Sequence, residues 1–514
     1  MSFLDRERSI AHPGYSRWLV PPAALAIHLC IGQVYSFSVF KLPLTQLLGV
    51  NKSLPGDWTQ TQIAWIFSLA IVILGASAAA FGKWLEGAGP RKAMFVSATC
   101  FALGFYISYL GVTTHQLWLI YFGYGFVGGT GLGLGYISPV STLIKWFPDR
   151  PGLATGMAIM GFGGGAMIGS PLGIKLMAYF HTASDVGVGK TFLVMGTLYF
   201  LLMMFGVFTI RVPREDWKPE NRAPSARRSM ITVHSVDVNT AFGTKQFWLL
   251  WVVLCTNVTA GIGILEQASP MIQELFRGTI AAAAAGGFVG LLSLFNMAGR
   301  FFWSTTSDFI GRKNTYYIFF VFGAILYLLL PRTGADHLNS VVLFVSISVV
   351  LLSMYGGGFA TIPAYLRDLF GAHHVSAIHG RLLTAWSVAG VLGPMLVNNL
   401  REYQLAHGTD KASAYQTVLQ VMAGLLVVGF SANLMVGPVA QKYWMPEGNA
   451  KGQAANSTSR QPAAQQREAV PKVVENTKRS SAAMILLAWL LVGVPLGWGV
   501  YNTLLSSMKL FQAH

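Results

Sequence analysis

Thirteen apolar runs, each long enough to cross a bilayer, constrain this chain more than any other feature. They lie at about 18–41, 62–84, 92–113, 116–142, 153–180, 191–211, 246–268, 281–303, 314–331, 340–366, 381–400, 413–438 and 482–504. A hydrocarbon core about 30 Å thick is spanned by about 20 apolar residues in helical form. Backbone polar groups inside it must be satisfied within the segment, and a helix does this. The expected class is therefore an all-α membrane protein. Composition agrees: of 514 residues, 53% are hydrophobic and 11% charged, against about 25% charged in soluble domains. Membrane lipid is the medium these helices expect.

The net charge of +16 resembles that of a nucleic-acid binder. The basic residues nevertheless sit in short loops between apolar runs, which fits the positive-inside rule rather than a phosphate-binding face. With the N-terminus in the cytoplasm, one set of loops carries Lys83, Arg91, Lys92, Lys145, Arg150, Arg312, Lys313, Arg367 and Arg381, together with the basic stretch 212–244. The opposite loops carry only scattered cations such as Lys52, Lys190, Arg277 and Arg332. The thirteenth span then leaves the C-terminus outside. Residues 1–17 are polar and no small-residue cleavage site follows the first run, so that run is expected to stay as a helix. Cys30, Cys100 and Cys255 all lie inside apolar runs without metal spacing and read as small buried residues.

The two halves repeat. GKWLEGAGPRK (82–92) follows the second span and WSTTSDFIGRK (303–313) follows the eighth. Gly89 pairs with Gly311, Gly135 with Gly358 and Gly169 with Gly393, all at a near-constant offset of about 223 residues. The expected organisation is a first six-helix half at 1–211, a central cytoplasmic loop at 212–244, a second half at 245–443, a disordered linker at 444–480 and an additional helix at 481–514. The linker is rich in Ala, Gln, Asn, Ser and Lys without apolar periodicity.

Six spans per half in a parallel repeat resemble the major facilitator fold. The 82–92 loop looks like that superfamily's loop signature, which implies a gating role for Gly82, Glu86, Gly89, Arg91, Lys92, Asp308, Gly311, Arg312 and Lys313. Glycine allows close helix approach, and carboxylates pair with cations or cap helix N-termini. IGQVYSFSVFKLPL (31–44), KWFPDRPGLATG (145–156), NMAGRFFWSTTSDFIGR (296–312) and TAWSVAGVLGP (384–394) resemble the oxalate/formate antiporter family over roughly 15–440. LVGVPLGWGVYNTL (491–504) is similar to a small single-helix subunit sometimes encoded beside such transporters, here fused through the linker. That helix, 482–504, is a candidate for intramolecular docking.

Arg300 lies deep in the otherwise apolar eighth span, where a charge costs at least ~2.5–3.5 kcal/mol on insertion scales, so it should face a polar cavity or a partner. A guanidinium matches a carboxylate bidentately and stays charged. Snorkelling toward Asp308 is the alternative, but eight residues place that carboxylate about 12 Å along a helix. The resemblance implies that this position binds substrate. It also implies a lysine in the eleventh span, where this sequence has Trp386 instead. One buried cation suits one anionic charge, which moves the expected solute from oxalate toward a monocarboxylate such as formate, lactate or pyruvate. Tyr35, Tyr136 and Tyr355 match positions where the family has cavity aromatics; Gln33 and Phe359 complete the expected lining. Ordinary helix packing is the alternative for each.

His28 is a proton carrier or a neutral, hydrogen-bonded packing residue; Glu266 is a proton site or a solvated group near the outer surface. His373, His374 and His379 are expected in a solvated cytoplasmic loop, and no spacing suggests a metal. GGTGLGLG (128–135) and GFGGGAMIG (161–169) lack the strand and the Lys–Ser/Thr ending of a phosphate loop, so they read as close-packing surfaces. No nucleotide motif, cofactor motif or catalytic cluster is present, so an enzyme is not expected. The expectation is a secondary transporter in a bacterial inner membrane, antiporting an organic anion or moving it with protons by alternating access. An oxalate/formate exchanger and a non-transporting membrane sensor or partner protein are the rival readings.

Overall fold

The computed structural model describes residues 3–50, 52–214, 217–218, 231–232, 234–276, 280, 282–334, 338–446 and 480–508. The membrane helices are numbered here in chain order: α1 Arg17–Ser36, α2 Gln60–Ala88, α3 Pro90–Thr113, α4 Leu117–Trp146, α5 Pro151–Phe180 and α6 Val188–Thr209. In the second half α7 is Lys245–Leu275, α8 Ala282–Ile310, α9 Arg312–Leu329, α10 Val341–Phe370 and α12 Lys411–Met435. Between the last two, α11 runs over Val375–Ala406, and α13 is Ala482–Met508. Among the described residues, 12 of these are long and apolar enough to cross a membrane by composition alone. The remaining one, α8, carries Arg300 and has 29 residues. Most of the linker, 447–479, lies outside the described residues.

Local chemistry sets where the helices start and stop. Thr59 and Gln62 form a capping box at the N-terminus of α2. Thr244, Ser340 and Asp410 cap α7, α10 and α12 through their side chains. Gly89 and Gly311 separate α2 from α3 and α8 from α9 at φ 82° and 93°. Only glycine takes that backbone without strain, so the internal repeat is written in the backbone at the two equivalent turns.

The core sits between the halves. In its span window α1 is 94% buried, whereas α13 is 11% buried, so α1 is central and α13 is a peripheral helix. The halves touch along two seams. One is α5 against α8, the other α2 against α11. Across the second, a Cβ at Gly82 would lie 2.9 Å from Ala377 Cα, so glycine permits this approach. The α13 helix packs on α8, α5 and α1. Leu25, Ala26, Leu29 and Val492 form a small buried cluster there.

Three sequence expectations are corrected. The eleventh span begins at Val375 rather than near 381, because the polar-looking stretch Val375–Leu382 is itself helical and buried. His379 is accordingly 2% exposed and His374 6%, instead of being solvated in a loop; only His373 is exposed. Arg367 lies in the last turn of α10 and Arg381 in the Val375–Leu382 segment, rather than in loops. Hydropathy missed this because the segment buries its polar groups against the other half, a tertiary fact.

Candidate functional site: a buried arginine in an aromatic cage

The periodicity of α8 places Asn296 and Arg300 one turn apart on the same face. Arg300 Nε donates to Asn296 Oδ1 at 3.1 Å, and Nη1 donates to the Ile159 carbonyl of α5 at 3.4 Å. The side chain is fully buried, and Nη2 has no hydrogen-bond partner. Among the described residues no carboxylate pairs with Arg300. The guanidinium lies 5.1 Å from the Phe359 ring and 5.6 Å from the Phe162 ring. Cation–π contact offsets part of the desolvation cost, by about 0.5–2 kcal/mol per ring, far less than a counter-ion supplies. Gly163 makes room on α5, since a Cβ there would lie 3.0 Å from Nε.

Trp386 fills the other side of the cage and is fully buried. Its ring centroid is 4.6 Å from Phe359, 5.3 Å from Phe162, 5.4 Å from Tyr136 and 6.5 Å from Tyr35. Neither the indole Nε1 nor the Tyr136 hydroxyl has a partner. Tyr35 and Tyr355 share a hydroxyl–hydroxyl hydrogen bond of 3.3 Å across the two halves. Arg300 interacts electrostatically with Tyr35, Tyr136, Tyr355 and His28. One guanidinium nitrogen and two neutral donors thus lack partners within one aromatic cluster, a set that an anion with two oxygens satisfies.

The other sequence-derived residues are placed as follows. Gln33 is buried within the first half; its Oε1 accepts from Tyr124 at 3.1 Å and its Nε2 is unpartnered. His28 Nδ1 faces the Ala158 carbonyl and Nε2 faces the Tyr136 carbonyl at 3.1 Å. A neutral imidazole donates to only one of these two carbonyls at a time. Glu266 is on α7, and its side chain lies outside the described residues.

The face that carries the N-terminus is closed. Asp308 of α8 accepts the backbone N–H groups of Gly152 and Leu153, both at 2.9 Å, and so caps the opening turn of α5 in the other half. Arg312 pairs with Asp308 at 2.6 Å and with Asp368 at 3.2 Å. Glu86 meets His374 at 2.7 Å and accepts from the Ala377 N–H at 3.3 Å. Lys313 donates to the carbonyls of Leu434 and Val436. Arg91 instead holds the N-terminal segment, donating to the Phe3 and Arg8 carbonyls, and Lys92 is exposed.

On the opposite side the halves part around a cavity of about 490 Å³ whose lining includes Tyr35, Lys41, Gly163, Ser293, Asn296 and Asn398. Tyr35, Gly163 and Asn296 lie between this space and Arg300. Sequence reasoning missed Lys41, Phe162 and Asn296. Asn296 was findable as the i−4 neighbour of Arg300, and Lys41 as the one cation in the first run. Phe162 carried no signal beyond being aromatic.

Residues 23–394 match the profile of the Major Facilitator Superfamily. The chain is similar to the uncharacterized MFS-type transporter YhjX of Escherichia coli, 25% identical over 378 residues, covering 73% of this chain and 86% of that one. The oxalate:formate antiporter of Oxalobacter formigenes is 26% identical, with coverage of 74% and 83%. The mouse monocarboxylate transporter 2 is 22% identical, with coverage of 74% and 76%. Among solved structures, the MFS transporter FucP in its outward conformation superposes at TM-score 0.60 and 13% identity, covering 82% of this chain and all of that one. That likeness concerns the fold alone.

Proposed function

The chain belongs to the Major Facilitator Superfamily, and from that premise we propose that it is a secondary transporter of a small organic monocarboxylate, such as formate, pyruvate or lactate, working by alternating access. The single observation that carries this reading is the buried Arg300, which has no carboxylate partner and keeps Nη2 unsatisfied in an aromatic cage. A buried, unpaired cation is costly, and a transporter recovers that cost when its anionic cargo supplies the missing charge. Trp386 Nε1 and the Tyr136 hydroxyl add two neutral donors, which suits the second oxygen of one carboxylate rather than a second carboxylate. The names of relatives point the same way: an oxalate:formate antiporter, an apicoplast pyruvate carrier and a monocarboxylate transporter.

In this reading the described arrangement is the outward-open one. The Glu86–His374 and Asp308 contacts hold the cytoplasmic face shut, and the N-terminus is cytoplasmic in a bacterial inner membrane. The coupling partner is a second anion or a proton, and the two-carbonyl seat of His28 supports testing the proton. The experiment is uptake of labelled formate, pyruvate, lactate and oxalate into vesicles holding the purified protein, with and without a pH gradient. Saturable uptake of a monoanion is expected, with oxalate a poor substrate. Failure of all four to enter sinks the reading in favour of a non-transporting role; oxalate exchange as fast as monoanion uptake replaces it with oxalate/formate exchange.

A further inference from the structure

We propose that Lys41 forms an outer carboxylate-holding subsite that the substrate meets before Arg300; this rests on the carboxylate reading above. Arg300 is fully buried, so a solute in the cavity does not touch it. Lys41, on the short helix Ser38–Leu44, is half-buried and lines that cavity. Among the described lining residues it is the one charged side chain, and no carboxylate faces it there. Ser38, Ser293, Asn296 and Asn398 surround the same space with neutral polar groups. A single-sign charge in a cleft with low-dielectric walls concentrates anions and speeds their arrival.

Lys41 lies six residues beyond Tyr35, which at helical rise is about 9 Å further from the cage. That exceeds the length of a two- or three-carbon carboxylate, so Lys41 and Arg300 act in succession on one anion. Between them stand Tyr35 and Asn296. Tyr35 is held by the Tyr355 hydroxyl and Asn296 by Arg300 itself. The anion waits on Lys41 until these two side chains give way, and then exchanges the ammonium of a half-buried lysine for a fully buried, bidentate guanidinium.

Two measurements test this. In the first, Lys41→Gln is expected to raise KM for the fastest-transported monoanion about 5–20-fold, to leave Vmax within about twofold and to flatten the rise of KM with ionic strength; Lys41→Arg restores all three. An unchanged KM and salt slope in Lys41→Gln overturns the subsite. The second needs no transport. Ser38→Cys, which is exposed in the same cavity, is expected to react several-fold faster with an anionic than with a cationic thiol reagent of equal size, and Lys41→Gln removes that preference. Loss of wild-type uptake with the preference intact rejects the transport reading alone; absence of the preference rejects the subsite.

A different observation carries a second inference: α13 braces the α5–α8 seam in the outward-open arrangement. Its first turns are fastened to the first half. Trp489 Nε1 donates to the Trp18 carbonyl at 3.1 Å, Val492 packs on Leu25, Ala26 and Leu29, and Leu496 sits over Gly164. Its last turns are fastened to α8 of the second half, where Ser507 Oγ donates to the Gly287 carbonyl at 2.9 Å and Thr503 covers Gly290. The cavity lies just behind, since Gly163 and Val289, next to these contact glycines, line it. Alternating access moves the halves against each other. A helix tied to both cannot keep all its contacts, so it favours the arrangement in which they form.

A Cβ at Gly290 would lie 3.9 Å from Thr503 Cβ, inside the range for a disulfide. The full-length Gly290→Cys/Thr503→Cys protein is expected to cross-link on oxidation, to lose at least about fivefold in transport turnover and to recover on reduction. Failure to cross-link shows that the docking is absent in the membrane; full turnover while cross-linked shows that α13 rides with α8 and braces nothing. Either result overturns the inference.

Discussion

Glu86 and His374 lie 288 residues apart in sequence and meet at 2.7 Å, one from each half, where α2 and α11 close the face that carries the N-terminus. Glu86 also accepts the Ala377 N–H, so one carboxylate holds a side chain and the start of a helix in the opposing half. The contact exists only while that face is closed. Glu86→Gln is therefore expected to shift the population toward the inward-open state. A Thr155→Cys reporter, on the buried inner end of α5, should then react several-fold faster with a thiol reagent from that side. Unchanged reactivity removes Glu86 from the gate.

Asp308 makes the corresponding contact at the other seam, but it does more. It pairs with Arg312 and caps Gly152 and Leu153 across the halves. Asp308→Asn keeps the shape and loses the charge. Loss of a charge-assisted cap and an ion pair is expected to lower unfolding free energy by ~2–4 kcal/mol. The measurement is a thermal melt in detergent, alongside Glu86→Gln, which should cost less because Glu86 meets a histidine and one backbone N–H rather than an arginine and two.

Arg300 offers a test in which stability and function move in opposite directions. A buried cation without a counter-ion burdens the empty protein. Arg300→Met is expected to leave the empty protein as stable or raise its unfolding free energy by ~1–3 kcal/mol, while abolishing both uptake and anion-induced thermal stabilisation. Arg300→Lys should also lose uptake by about 100-fold or more, because an ammonium cannot offer the bidentate fork. A melt lowered by Arg300→Met would mean that a structural anion or carboxylate already pairs with this residue.

On the proposed reading, Trp386 sets how many charges the cage takes. Trp386→Lys places a second cation among Phe162, Phe359 and Tyr136, the rings now packed on the indole. The empty variant should melt lower than the wild type, through a lost aromatic contact and like-charge repulsion. Oxalate is expected to restore the melt more than formate does at equal concentration. Equal rescue by both anions would show that Trp386 does not set charge number.

The sequence by itself determined the spans, the two halves and the paired turns at Gly89 and Gly311, because hydropathy, chain length and the need for positive φ are local properties. It also marked Arg300, since a charge deep in an apolar run stands out without any knowledge of neighbours. Only the tertiary structure decided what surrounds that charge. Asn296 could be inferred from helical spacing, but Phe162, Phe359 and Trp386 come from three different helices, and their convergence depends on how α5, α10 and α11 cross. The burial of His374 and His379 was illegible for the same reason: each is polar in sequence and is covered by the opposite half. Lys41, at the end of the first run, drew no notice until the cavity gave it a facing surface, and α13 looked like an appendage until its two ends were found on different halves. Periodicity reports which face of a helix is apolar; it carries no record of which helix that face will meet.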